Sequence, residues 1–123
     1  MIADDEILIR KMIISILSGN DYSIFEAEDG IKAIEVFKNN ILDIVILDIN
    51  LPYKDGIKIC NEIKKSPMGK STYVLMLTSQ VDNNSIEKAF EAGADDYIVK
   101  PFNGMLLKEK IAYCLNKNKD TLS

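Results

Sequence analysis

Short apolar runs alternate with longer segments of helical period throughout the 123 residues, and no other feature constrains the fold so tightly. Runs near Met1–Ala3, Tyr22–Glu26, Asp43–Leu47, Thr72–Thr78 and Asp96–Val99 are short enough to read as strands. A helix between each pair of strands supplies the long crossover that parallel pairing needs, so an α/β fold with a parallel sheet is predicted. Every position from Ile44 to Leu47 is apolar, as in a strand covered on both faces, which places the third run at the centre.

Between these runs the spacing predicts five helices. The first spans about Glu6–Leu17, with Ile9, Met12, Ile13, Ile16 and Leu17 at helical intervals and Gly19 able to take the left-handed position after its end. Asp29-Gly30 opens the second, which carries Ile34 and Phe37 and ends at Asn39-Asn40; the third begins after Asp55-Gly56 and closes before Pro67, because the residue ahead of a proline resists helical geometry. A fourth runs from about Asn84 to Ala92 and stops at Gly93, and a fifth is capped by Asn103 and continues to about Asn116. The polar stretch from there to Ser123 reads as a linker, which gives one domain over residues 1–118 and a linker start at 119–123.

Composition excludes several classes of function. Fifteen basic against nineteen acidic residues leave a net charge of −4 and no basic block to follow a phosphate backbone, so direct nucleic-acid binding is not expected. There is no histidine, which removes Ser-His and Cys-His nucleophiles and any histidine-completed zinc site. Cys60 and Cys114 stand far apart and read as small buried hydrophobes of a reduced protein. With no membrane-length apolar stretch and no signal-like start, a cytoplasmic protein with no membrane association is expected.

The chemistry is concentrated where the apolar runs end. Asp4-Asp5 follows the first, Asp48 ends the third, Thr78-Ser79 the fourth, and Lys100 follows the fifth. Parallel strands deliver all of these to one sheet edge, where open α/β sheets bind ligands. Carboxylates a few ångströms apart repel by a few kcal/mol each at an effective dielectric near 20, and a divalent cation removes that cost. Oxygen donors without histidine or cysteine favour Mg²⁺ or Mn²⁺. Singly, Asp5 could be a helix cap, Asp48 a loop starter, Thr78 a strand-end hydroxyl and Lys100 a solvated charge; together they converge.

The set Ala3-Asp4-Asp5-Glu6, Leu47-Asp48-Ile49-Asn50-Leu51-Pro52, Asp55-Gly56, Leu77-Thr78-Ser79, Ala92-Gly93-Ala94-Asp95-Asp96-Tyr97 and Lys100-Pro101-Phe102 resembles the receiver domains of two-component response regulators, in order and across nearly the whole chain. The resemblance implies a doubly wound, flavodoxin-like sheet of five parallel strands in the order 2-1-3-4-5, with helices on both faces. It implies that Asp48 accepts a phosphoryl group from a sensor histidine kinase or phosphotransfer protein. Asp5, Asp48 and the backbone carbonyl of Asn50 would ligate Mg²⁺ or Mn²⁺, and Asp4 would act through water. Lys100 and Thr78 would contact the phosphoryl oxygens, Tyr97 would be the switch aromatic, and the Lys100–Pro101 bond would be cis.

By the same resemblance the domain is a phosphorylation-dependent switch and not an enzyme acting on a separate substrate. Its fourth helix, fifth strand and fifth helix would control an output domain or partner, and Lys88, Glu91, Asp96 and Lys110 partly match a charged pattern used for homodimerisation on phosphorylation. Asp120-Thr121-Leu122-Ser123 resembles the opening of a diguanylate cyclase output domain, against the plainer reading of a solvated linker end. The alternative function is a Mg²⁺-dependent small-molecule phosphatase or phosphotransferase. Asn50 stands against it, because haloacid-dehalogenase-like phosphatases carry a second aspartate at that place.

Overall fold

β3 (Ile44–Asp48) runs through the middle of a five-stranded parallel sheet, as its unbroken apolar sequence requires. The computed structural model describes residues 1–79 and 82–122, the stretch 117–122 by its backbone alone. Around β3 lie β1 (Ile2–Ala3), β2 (Glu26–Ala27), β4 (Tyr73–Thr78) and β5 (Asp96–Val99), in the order β2-β1-β3-β4-β5. The helices are α1 (Ile7–Leu17), α2 (Gly30–Asn39), α3 (Gly56–Lys65), α4 (Asn83–Glu91) and α5 (Gly104–Leu122), with a 3₁₀ turn at Pro67–Gly69. No helix among the described residues is long and apolar enough to cross a membrane.

Alternation along the strands divides the core between the two faces. Ile46, Leu75, Leu77 and Ile98 pack with Ile13 and Leu17 of α1 and Leu107 and Ile111 of α5. Val45, Leu47, Val74 and Met76 pack with Val36 and Phe37 of α2, Ile59 and Ile63 of α3 and Ala89 of α4. This division follows from right-handed crossovers. The chain moves from β1 to β2 in one direction and from β2 through β3 to β5 in the other, so the first helix falls on one face and the next three on the opposite face.

The helix boundaries obey their punctuation. Asp29 and Asp55 accept from the amides of Lys32 and Lys58 as N-caps, Asn103 accepts from the Met105 amide, and Gly19 and Gly93 take the positive φ angles of +88° and +103° that suit glycine. The Lys100–Pro101 bond is cis.

Two expected elements need correction. β2 is Glu26–Ala27 and not Tyr22–Glu26, because register sets Ile2 against Glu26 and Ala3 against Ala27, which leaves Tyr22–Phe25 beyond the paired span of β1. α5 continues past Asn116 through Leu122, since Lys117–Thr121 holds no glycine or proline to stop it. The Asp120–Ser123 motif lies outside the residues whose side chains are described.

Candidate functional site

The strand order reverses between β1 and β3, and the crevice at that reversal is flanked by Asp4, just past β1, and Asp48, the last residue of β3. Both side chains are buried, Asp4 completely. Lys100 follows β5 and reaches across the end of β4 toward both, β3 lying two strand spacings from β5, roughly 10 Å, and β1 three, roughly 14 Å. Its backbone amide donates to Thr78 O at 2.8 Å. Its ammonium lies 2.6 Å from Asp4 Oδ2, 3.2 Å from Asp48 Oδ2 and 3.9 Å from Glu6 Oε1. Thr78, buried at the end of β4, completes the edge.

The loop after Asp48 is held closely. Asp48 Oδ1 accepts from the Asn50 amide at 3.1 Å, the Ile49 amide donates to Leu77 O, and the Gly56 amide donates to Ile49 O. Gly56 lies so near that a Cβ there would overlap the Asp48 carbonyl oxygen, which explains the glycine eight residues after the aspartate. Ile49 and Leu51 are buried while Asn50 is exposed, so the loop turns its polar residue outward at the site.

Electrostatics follows from this geometry. Burial pushes the Asp48 carboxyl above its ordinary value; the Asn50 amide and Lys100 oppose the shift, and the Asp4 charge adds to it. Burial works against the Lys100 charge too, but the hydrogen bond and charge of Asp4 with the charge of Asp48 outweigh it and hold the ammonium above its ordinary value.

Asp4, Asp5 and Glu6 form a second cluster at the turn into α1, with one carboxylate oxygen of each within 4.8 Å of the others. These donors are hard oxygens with no sulfur or imidazole among them, and the Lys100 ammonium bridging Asp4 and Asp48 shows that the crevice accommodates positive charge. The residues therefore fit a divalent cation. Asp5 and Glu6 are exposed and Asp4 is buried, so the open side of such a site is Asp5 with Glu6. Tyr97 stands apart from this edge, half-buried on β5 opposite Met76, with its ring edge-on to Phe90 of α4 at 5.9 Å and 83°.

Two participants escape sequence reasoning. Glu6 was visible as the third acid of its run but had no assigned role. Arg10, buried on α1, donates from Nη1 to Asp4 O at 2.7 Å and from Nε to Glu26 Oε1 at 3.0 Å. Its signal was positional: it stands three residues before Ile13 and seven before Leu17, in the core stripe of the helix.

Comparison with known proteins decides the family. The model of the response regulator receiver domain matches residues 1–112. The chain belongs to this family. A CheY-like response regulator receiver domain protein of Methanospirillum hungatei superposes with a TM-score of 0.90 at 26% identity, covering 98% of this chain and 94% of that one. The transcriptional regulatory protein ResD of Bacillus subtilis is 39% identical over 103 residues, 84% of this chain and 42% of that protein. A cyclic di-GMP phosphodiesterase of Thermotoga maritima is 37% identical over 116 residues, 94% of this chain and 30% of that protein. The chain spans less than half the length of these curated relatives. It is a receiver of two-component signalling, and the family match favours the switch over the small-molecule phosphatase.

Proposed function

We propose that this receiver accepts a phosphoryl group on Asp48 from a phosphohistidine of a sensor kinase or phosphotransfer protein. The observation that carries the reading is the convergence of Asp48, Asp4 and Lys100 at the strand-order reversal, with Thr78 on the same edge. An Asp48 carboxylate oxygen attacks phosphorus, the bond to the donor imidazole nitrogen breaks, and the imidazole leaves with its electron pair. Asp5, Asp48 and the Asn50 carbonyl, with Asp4 beside them, would hold Mg²⁺ or Mn²⁺, which when bound would neutralise phosphoryl oxygen charge. Glu6 stands beside Asp4 and Asp5 in this arrangement.

Lys100 has a part before and after transfer. It compensates the two buried carboxylates in the resting site, and once Asp48 becomes an acyl phosphate it pairs with the new phosphoryl oxygens. Thr78 donates its hydroxyl to the same group, and its displacement opens room for Tyr97 to turn inward from its contact with Phe90. The face of α4, β5 and α5 thereby changes its affinity for a partner. Hydrolysis of the acyl phosphate by water resets the switch.

In this reading the domain works in the cytoplasm, joined to an output domain or acting on a separate partner. The Thermotoga relative supports an output in cyclic di-GMP metabolism, and ResD supports transcriptional control. Homodimerisation through α4, β5 and α5 would have to exchange the ion pair that Lys110 now makes with Asp96 of its own chain at 2.7 Å.

Incubation with acetyl phosphate and Mg²⁺, followed by intact-mass measurement, tests the assignment. Wild type should gain one phosphoryl group only with metal present, and Asp48→Ala should gain none. Undiminished labelling of Asp48→Ala overturns it.

A further inference from the structure

Arg10 occupies a place in α1 where a hydrophobic residue would satisfy the core stripe. Its guanidinium instead joins three elements. Nη1 reaches the Asp4 carbonyl beyond β1, Nε reaches Glu26 on β2, and the other Glu26 oxygen accepts from Lys11 at 3.1 Å. The Asp4 amide makes its ladder bond to Ala27 O, but β2 ends there, so Arg10 supplies the donor for the Asp4 carbonyl just past the end of the paired strand. The same residue frames the following turn from the other side. Its backbone amide donates to Glu6 O at 3.2 Å, while the Glu6 amide donates to Asp4 Oδ1 at 2.8 Å.

We propose that Arg10 is a positioning residue for the acidic site: its guanidinium clamps the Asp4 carbonyl to Glu26, extending the short β1–β2 ladder and fixing the Asp4-Asp5-Glu6 turn so that its carboxylates face a single point. The inference rests on reading that turn as the cation-binding side of the site. A planar fork that donates in two directions suits the task, and a lysine ammonium on a flexible stem does not reproduce it. Glu26 matters as the counter-charge, since it offsets the guanidinium that the turn would otherwise feel.

Geometry and charge predict opposite outcomes. A positive group near carboxylates repels an incoming cation, so removing Arg10 should tighten Mg²⁺ binding if charge alone mattered. If Arg10 positions the turn, removing it weakens binding. Groups that orient metal ligands cost about tenfold or more in affinity when lost, and the lower end applies here because Arg10 acts through a backbone carbonyl.

The test titrates wild type, Arg10→Gln and Arg10→Lys with magnesium chloride, checks by urea unfolding that each is folded, and measures hydrogen exchange of the Asp4 and Glu6 amides without metal. Arg10→Gln should bind Mg²⁺ about tenfold more weakly. Its Asp4 and Glu6 amides should exchange faster while those of β3 and β4 keep their protection. Arg10→Lys, which preserves charge and is the milder change, should recover only a minor part of the affinity. Equal or tighter binding by folded Arg10→Gln, full rescue by lysine, or unchanged exchange at Asp4 and Glu6 overturns the clamp. If wild type binds no Mg²⁺, the cation-site reading fails by itself, and the metal-free exchange comparison still decides for or against Arg10.

Discussion

Asp48 ends a five-residue strand whose every position pairs with β4, whereas Asp4 follows a strand of two residues. The Asp48 side is secured by main chain: ladder bonds through Ile49 to Leu77, and Gly56 packed against its carbonyl. The Asp4 side has a ladder bond from its amide to Ala27 O and then depends on a side chain, Arg10 on its carbonyl, while Lys100 and a carboxylate bond to the amide two residues on are common to both sides. Backbone ladders are hard to alter by substitution except at glycines that admit no Cβ. Side-chain clamps can be removed one at a time. The two halves of one site should therefore fail in different ways, and substitutions can test whether they do.

Gly56→Ala should have the largest effect. The added methyl meets backbone, which cannot rotate away, so the loop after Asp48 must shift. Overpacking typically costs about 1–3 kcal/mol, and contact with main chain puts this change at or above the top of that range. Urea unfolding should show the loss, and phosphorylation of the folded fraction should also slow. A variant as stable as wild type would show that the Asp48 side is less tightly built than its geometry indicates.

Lys100→Met comes next and removes the side-chain support that the two halves share. It leaves two buried carboxylates without their shared cation, a change worth about 3–5 kcal/mol for a fully buried pair and here about 2–3 because the Lys100 side chain is partly accessible. Saturating Mg²⁺ should recover much of that loss, since another cation then compensates the acids. It should recover little for Gly56→Ala, whose defect is steric. Equal recovery of both variants in Mg²⁺-dependent unfolding would erase the distinction between side-chain and main-chain support.

The same contrast governs what the sequence disclosed. β3 and β4 are legible because they are apolar on both faces, and the places of Asp48 and Thr78 at one sheet edge because they end those strands, with Lys100 directly after β5. The bounds of β2 are not legible: Tyr22–Phe25 has strand-like composition, but composition does not reveal that the register pairs Glu26 and Ala27 with β1 instead. The end of α5 is hard to read because a polar stretch with no apolar face resembles a linker, although it holds no helix breaker. Arg10 is concealed because charge ordinarily faces solvent, although its spacing from Ile13 and Leu17 places it in the buried stripe. Residues that end an apolar run can be read directly, whereas the register between strands and a charged side chain reaching out from the buried stripe of a helix cannot.

Asp48→Asn should have the smallest effect, and its sign is informative. In the folded protein the Asp48 carboxyl is pushed above its ordinary value by burial first and by Asp4, against the pull of the Asn50 amide and Lys100. A carboxyl whose folded pKa is raised binds its proton more tightly folded than unfolded, so its contribution is most favourable below the unfolded value and is lost as pH rises through the folded value. At neutral pH without metal the ionised Asp48 is therefore a net cost, and Asp48→Asn should be slightly more stable than wild type. The gain should shrink as pH falls through that window toward the ordinary carboxylate range, and it should reverse in saturating Mg²⁺, which binds the wild-type carboxylate and not the amide. Urea midpoints across pH, with and without Mg²⁺, check all three parts. A metal-free Asp48→Asn less stable than wild type at neutral pH would mean that Lys100 compensates Asp48 more fully than burial penalises it, and that Asp48, like Asp4, is held chiefly by its side-chain partner.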